Sequence, residues 1–260
     1  MYLHLLHLGR IPYAEGLALQ QQVVAARKQN LIGDTLLLLE HPPVLTLGRN
    51  ASRSNVLASD EFLAQRGIEL HEINRGGDVT YHGPGQLVGY PIIDLRGDWP
   101  GKKGPGRIHL GPVDYVRLLE EVLIRTCGDF GVMAQRIPKR TGVWTIPGGS
   151  VQEKKIAAIG VHVSQGVTSH GFALNVTTDL RDFDWIIPCG IADRQVTSLE
   201  LEADASHQPA MENAINSTAR NFGRVFGRQM LWSESLDEIL HRNKETGCIA
   251  DPLARPPIIG

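Results

Sequence analysis

Cysteine is scarce in this chain and widely spread: Cys127, Cys189 and Cys248 are the three among 260 residues. An odd number at such spacing fits neither a disulfide framework nor a zinc knuckle, and a reducing cytoplasm is the expected compartment. Long apolar runs are also missing. Stretches such as LLLLE break off within a few residues, far short of the roughly 20 that a membrane-spanning helix needs. The opening MYLHLLHLGRIPYAEG lacks the charged start, long apolar stretch and cleavage site of a secretory signal. A marked excess of positive or negative charge is missing too. With 26 Lys and Arg against 28 Asp and Glu, the net charge of −2 offers no basic footprint for broad nucleic-acid binding. Ten histidines are present, yet no pair sits with a carboxylate or cysteine at a familiar ligand spacing. His4 and His7 share an HxxH spacing that reads as edge strand or surface, and no metal site is expected.

What is present suffices for a core. Apolar residues make up 42% and charged residues 21%, a composition that folds, and the length suits one large α/β domain or a main domain with a small appendage. Residues Tyr13 to Arg27 carry Leu17, Val24 and several alanines among polar residues, which predicts a helix. TLLLLEHPPVLTLGR holds two apolar runs split by Pro42 and Pro43; proline has no N–H for a ladder, so two strands joined by a turn are expected. Ser59 is placed to cap a short helix through Gln65, with Gly67 to end it. IELHEI and QLVGYPIIDL read as strands on either side of a Gly-rich turn, and residues 96–112 as a long loop. Val116, Leu119 and Leu123 at helical spacing behind Pro112 predict a long helix that stops at Gly128 or Gly131. KIAAIGVHVSQGVTSHGFALNV predicts two strands turning at Gln165 and Gly166, residues 209–227 a third helix, and SLDEILHR a short helical piece. Strands on both sides of the central helix, without regular βαβ alternation, predict an α/β (α+β) domain: a mixed β-sheet with flanking helices. That domain is expected over 1–227, with 228–260 as an extension packed on it or partly irregular.

Three stretches carry candidate chemistry. RGGDVTYHGPG, from Arg75 to Gly85, is neither GxxxxGK[ST] nor GxGxxG, and no helix obviously begins where a phosphate would sit. Its company of Arg75, Asp78, Thr80, Tyr81 and His82 suits either a structural turn or a ligand-binding loop. In DWIIPCGIADRQVTSL, Pro188 and Gly190 flank Cys189 where a strand-like run breaks, which presents the thiol at a turn. The plainer reading, a small buried hydrophobe, fits Cys127 inside its amphipathic helix better. A nucleophilic thiol needs a cation or base nearby. Lys154 and Lys155 open the run KIAAIGVHV, and on a strand they point to opposite faces, so one can face solvent and the other a cleft.

RGGDVTYHGPGQLVGYPIIDL, KIAAIGVHVSQGVTSHGFALNV and PCGIADRQVTSLE, in that order and with HPPVLTLGRN upstream, closely resemble the motifs of the lipoyl (octanoyl) transferase family. The similarity runs roughly from the first helix to the third and leaves out the loop at 97–112 and the tail after about Gly227. The resemblance implies the fold of biotin- and lipoate-protein ligase catalytic domains. It implies transfer of an octanoyl group from acyl carrier protein to a lysine of a lipoyl domain, in 2-oxo-acid dehydrogenase complexes or the glycine cleavage H protein. The acyl group would pass through a cysteine thioester. The family's cysteine falls on Cys189 and its lysine on Lys155. Its substrate-binding segments fall on Arg75, Gly76, Gly77, Asp78, Val79, Thr80, Tyr81 and His82, on Ala158, Ile159 and Gly160, and on Gly171, Phe172 and Ala173. His170 is a candidate for orienting a partner by a hydrogen bond.

The chemistry suits those residue types. An ammonium at Lys155 would favour the Cys189 thiolate, and Gly-rich turns offer N–H groups to a tetrahedral oxyanion. An amide is more stable than a thioester, so no ATP and no cofactor are expected. Acyl carriers are typically acidic, which makes Lys102, Lys103, Arg107, Lys139 and Arg140 candidate docking residues; neither nucleic acid nor membrane is expected as a partner. The competing readings are an ATP-dependent lipoate-protein ligase of the same fold, a silent acyl- or lipoyl-binding protein, and a cysteine hydrolase. For the last, nothing in the sequence pairs Cys189 with a particular histidine and carboxylate.

Overall fold

The four leucines of β2 (Thr35–Glu40) show how this chain is layered. Leu36 and Leu38 enter one core and Leu37 and Leu39 another, because successive side chains of a strand point to opposite faces. A sheet covered on both sides therefore reads as an unbroken apolar run. The computed structural model describes residues 2–96, 99, 110–146, 152–187, 195–204 and 206–245.

Among the described residues, the large sheet has eight strands. Besides β2 they are β1 (Tyr2–Arg10), β6 (Gln86–Ile92), β7 (Ala134–Ile137), β8 (Arg140–Thr145), β9 (Lys155–Ser164), β10 (Val167–Asn175) and β11 (Gln229–Trp232). Their order is β11-β1-β2-β6-β10-β9-β8-β7. β1 runs parallel to both β11 and β2, and the other pairings are antiparallel, so the sheet is mixed. A second sheet has three strands: β3 (Val44–Leu47) at the centre, parallel to β4 (Glu69–Glu72) and antiparallel to β5 (Val79–His82).

Helix α1 (Tyr13–Lys28) covers one face of the large sheet, with Val23 packed beside Leu6, Leu37, Leu39 and Val88. On the other face lie α3 (Pro112–Asp129) and α5 (Met211–Phe226). Their Tyr115, Leu119, Leu123, Phe222 and Phe226 join Leu3, Leu5, Leu36 and Leu87. Helix stops fall where the sequence places them: Gly131 follows α3 and Gly227 caps α5, both with positive φ. The short α2 (Asp60–Gln65) starts at Ser59, whose hydroxyl accepts from Phe62 N–H at 3.2 Å. After α4 (Leu199–Glu202), the chain ends its described part in α6 (Leu236–Glu245), whose Ile239 is buried on the α1 side. Among the described residues no helix is long and apolar enough to cross a membrane.

Two local expectations change. VTYH is strand β5 rather than part of a turn, since it pairs with β3 residue for residue. His4 is not on an edge. The addition of β11 outside β1 buries it, with Nδ1 3.4 Å from Ser233 Oγ, while His7 stays exposed.

Candidate active site

A cleft opens between the large sheet and β5. Gln86, Val88 and Tyr90 face it from β6 at the period of two that a strand imposes. Beside them, Ala158, Ile159 and Gly160 of β9 pair with Ala173, Phe172 and Gly171 of β10, so the two arms of one hairpin form a single wall. The Arg75–Thr80 segment and His82 close the opposite side. Gly160 is what lets that segment lie on the sheet: a Cβ there would stand 2.7 Å from Gly76 O. Gly76 N–H instead donates to Val161 O at 3.0 Å.

Arg75 is buried, and its guanidinium donates to Thr46 O (2.8 Å) and Thr46 Oγ1 (2.9 Å) of β3. Its own carbonyl and that of Gly77 accept from Arg49 and Asn50 N–H. Asp78 accepts from Asn55 Nδ2 and from Val79 N–H, both at 2.7 Å. Every polar group of the loop named here is thus spent on protein partners, which is the pattern of a shaped wall rather than a phosphate cradle. Gly77, Asp78, Val79, Thr80 and His82 line the cleft; Gly76 and Tyr81 do not. Tyr81 points the other way, into the core under the small sheet. There its ring meets Phe183 and Trp185, and its hydroxyl donates to Asp182.

The cleft's histidines are neutral. Burial, reinforced by His41, Arg75 and His170, pulls His82 down to about 3. Its Nδ1–H donates to Gln86 Oε1 at 2.7 Å. Gln86 Nε2 passes the chain on to Asn175 Oδ1 (3.0 Å), and Asn175 Nδ2 donates to Thr197 O (2.9 Å). His170 lies at positive φ, with its backbone N–H given to Gln20 Oε1 at 2.9 Å and its ring Nε2–H to Asn74 Oδ1 at 2.7 Å. Burial, then the Arg75 and His162 charges, lower it to about 4. Behind them sits His41, which donates to Ile11 O (2.9 Å) and accepts from Tyr90 (2.8 Å), and which burial lowers to about 4. Tyr13 stacks beside His82 and meets His41 edge to face, its phenol pushed up to about 12 by burial.

Lys155 opens β9 at the rim of the cleft, with Nζ 5.4 Å from the centre of the Trp144 ring. Its neighbour Lys154 instead pairs with Glu202 at 3.2 Å, as the opposite pointing of adjacent strand residues requires. Cys189 lies outside the described residues, in the interval 188–194. Both sides of that interval are tied down. Ile187 N–H donates to Asn55 O at 2.8 Å, and Gln195 O accepts from Lys155 N–H at 3.0 Å. Of the docking candidates, Lys102, Lys103 and Arg107 are likewise outside the described residues, while Lys139 is exposed at the turn between β7 and β8 and Arg140 is half-buried at the start of β8.

Sequence reasoning missed Tyr13, Gln86, Tyr90 and Asn175 as lining residues, and His41 behind them. The alternation in QLVGYPI puts Gln86, Val88 and Tyr90 on one face and was a readable signal; His41 and Asn175 join the site through long-range contacts alone.

A largely apolar cleft on a mixed sheet, with a lysine at its rim, suits a domain that handles acyl groups. The sequence matches the lipoyl protein ligase A/B catalytic domain over residues 12–223, and the chain belongs to that family. It is 70% identical over 241 residues to the octanoyltransferase of Acidobacterium capsulatum, covering 92% of this chain and 96% of that one. It is 53% identical over 238 residues to the octanoyltransferase of Koribacter versatilis, with 92% and 90% covered. Among solved structures, the bipartite lipoate protein ligase of Thermoplasma acidophilum superposes with a TM-score of 0.70 at 17% identity, covering 94% of this chain and 91% of that one. A lipoate-protein ligase A bound with ATP gives 0.68 at 16%, with 94% of each chain covered. At such identities the likeness is one of fold.

Proposed function

We propose that this protein moves an octanoyl group from an acyl-carrier thioester to a lysine of a lipoyl domain, by way of a thioester on Cys189. The observation that carries the reading is the anchoring just described: the interval holding Cys189 is followed by Gln195, bonded to Lys155, and preceded by Ile187, bonded to Asn55, which itself donates to Asp78 of the cleft. The apolar strand wall from Ala158 to Gly160 and from Gly171 to Ala173 suits an unbranched acyl chain.

In the first half-reaction Lys155 takes the Cys189 proton, and the thiolate attacks the carrier's thioester carbonyl. The tetrahedral adduct collapses, the carrier's C–S bond breaks, and Lys155 returns the proton to the leaving thiolate. In the second half, the acceptor lysine amine attacks the enzyme thioester. Lys155 accepts the amine's proton, the amide forms, and the Cys189 thiolate leaves beside the new ammonium, where the next cycle begins. No energy-carrying co-substrate enters this scheme. The acceptors proposed are lipoyl domains of 2-oxo-acid dehydrogenase complexes and the glycine cleavage H protein.

The test is intact-protein mass spectrometry after mixing with octanoyl-acyl carrier protein without ATP. The wild type is expected to gain one octanoyl group, and Cys189→Ala none, with transfer to a lipoyl domain abolished. Transfer by Cys189→Ala at a comparable rate would exclude the acyl-enzyme. A strict need for ATP and free octanoate would move the protein to the ligase reaction.

A further inference from the structure

Glu120 is fully buried on α3, far in sequence from any motif named above. Its Oε2 pairs with Arg117 at 2.7 Å and Arg136 at 3.3 Å, and its Oε1 accepts the backbone N–H of Gly142 at 3.2 Å. A buried carboxylate is costly without such partners, so the fold maintains an expensive group to hold one point of β8. That point is unusual. Gly142 has φ +119°, and a Cβ on it would stand 2.6 Å from Ala157 O and 2.8 Å from Lys155 Cε. The bare α-carbon is therefore one side of the space that the Lys155 stem occupies.

Two further features aim the same side chain. β8 pairs Val143 with Ala157 but Trp144 with Lys155, so Ile156 is an extra residue on β9. Such a bulge bends the strand and redirects the neighbouring side chain. Trp144 then offers its ring face to the ammonium, an attraction that needs the ring within about 6 Å.

We propose that Glu120, Gly142 and Trp144 are positioning residues that hold the Lys155 ammonium at the cleft, Glu120 acting through the backbone of Gly142. The inference rests on the role given to Lys155 above, and its test separates the two. In the full-length protein carrying ¹³C-lysine, the ε-CH₂ signal of Lys155, assigned by its loss in Lys155→Arg, is expected upfield because of the Trp144 ring. Gly142→Ala and Glu120→Leu should abolish that displacement. They should lower the turnover number about tenfold or more at unchanged KM, and raise the alkylation pKa of the reactive thiol. Glu120→Gln keeps an oxygen for Gly142 N–H and should stay near wild type in all three readouts. If Gly142→Ala does not fold, the Glu120→Leu and Glu120→Gln pair carries the same comparison. An unmoved Lys155 signal in the folded Gly142→Ala or Glu120→Leu protein overturns the positioning role whatever Lys155 does. A moved signal with intact turnover upholds the positioning and removes Lys155 from the chemistry.

Discussion

His41, His82 and His170 are held neutral inside one small volume, and their protons couple the site to pH. Each has a folded pKa below that of the unfolded chain, at about 4, 3 and 4. Their contribution is complete above about pH 6.5 and is lost as pH falls toward the folded values, because the unfolded chain then binds protons that the folded one refuses. Between pH 7 and pH 5 each histidine can remove up to about 2 kcal/mol. Urea unfolding at the two pH values should show a large drop, and His41→Gln should flatten the dependence. An unchanged midpoint between pH 7 and pH 5 would mean that the buried imidazoles do not govern acid stability. At this scale the sequence was informative where geometry is local, as with Lys154 and Lys155, whose adjacent places on a strand send one to Glu202 and the other to the cleft. It was silent where meaning comes from a partner: His41 follows a strand and precedes two prolines, and only its bond to Tyr90, 49 residues on, brings it to the site.

Among elements, the β9–β10 hairpin and the Arg75–Asp78 loop make the cleft by close backbone approach. Gly160→Ala should push Gly76 and Arg75 off the strand, since the nearest obstacle is a backbone oxygen rather than a flexible side chain. The expected outcome is a raised KM for the octanoyl donor and a stability loss of about 1–3 kcal/mol. Gly128→Ala in the last turn of α3 meets nothing within 4 Å and should be neutral or stabilise by up to about 1 kcal/mol. Steady-state kinetics and thermal melts on the two variants check the contrast; equal effects would refute it. Helices and hairpin were legible because caps, prolines and glycines are local: Ser59, Pro112, Gly131, Gln165 and Gly227 all act where they stand. The short β7, β8 and β11 were not, since four to six residues carry too little periodicity. Nor was the division into two sheets, which depends on β3 choosing β4 and β5 as partners.

For the whole molecule, the resemblance from the first helix to the third left the tail open, yet β11 completes the large sheet and α6 buries Ile239. Truncation after Gly227 should expose the long edge of β1, lower the melting temperature and promote association through the unpaired strand. Light scattering and a melt of the shortened chain test this; a monomer of full stability would show that the tail is dispensable.

The position of β1 also bears on how the protein is made. Tyr2 to Leu5 pair with Gln229 to Trp232, so β1 waits for a strand synthesised more than two hundred residues later. At about 5–20 residues per second that delay is on the order of ten to forty seconds. Throughout it the nascent chain carries Leu3 and Leu5, later fully buried, beside a ladder with one side vacant. The ribosome-bound intermediate is thus a natural client for chaperones, and slow codons anywhere between the two strands would lengthen its exposure.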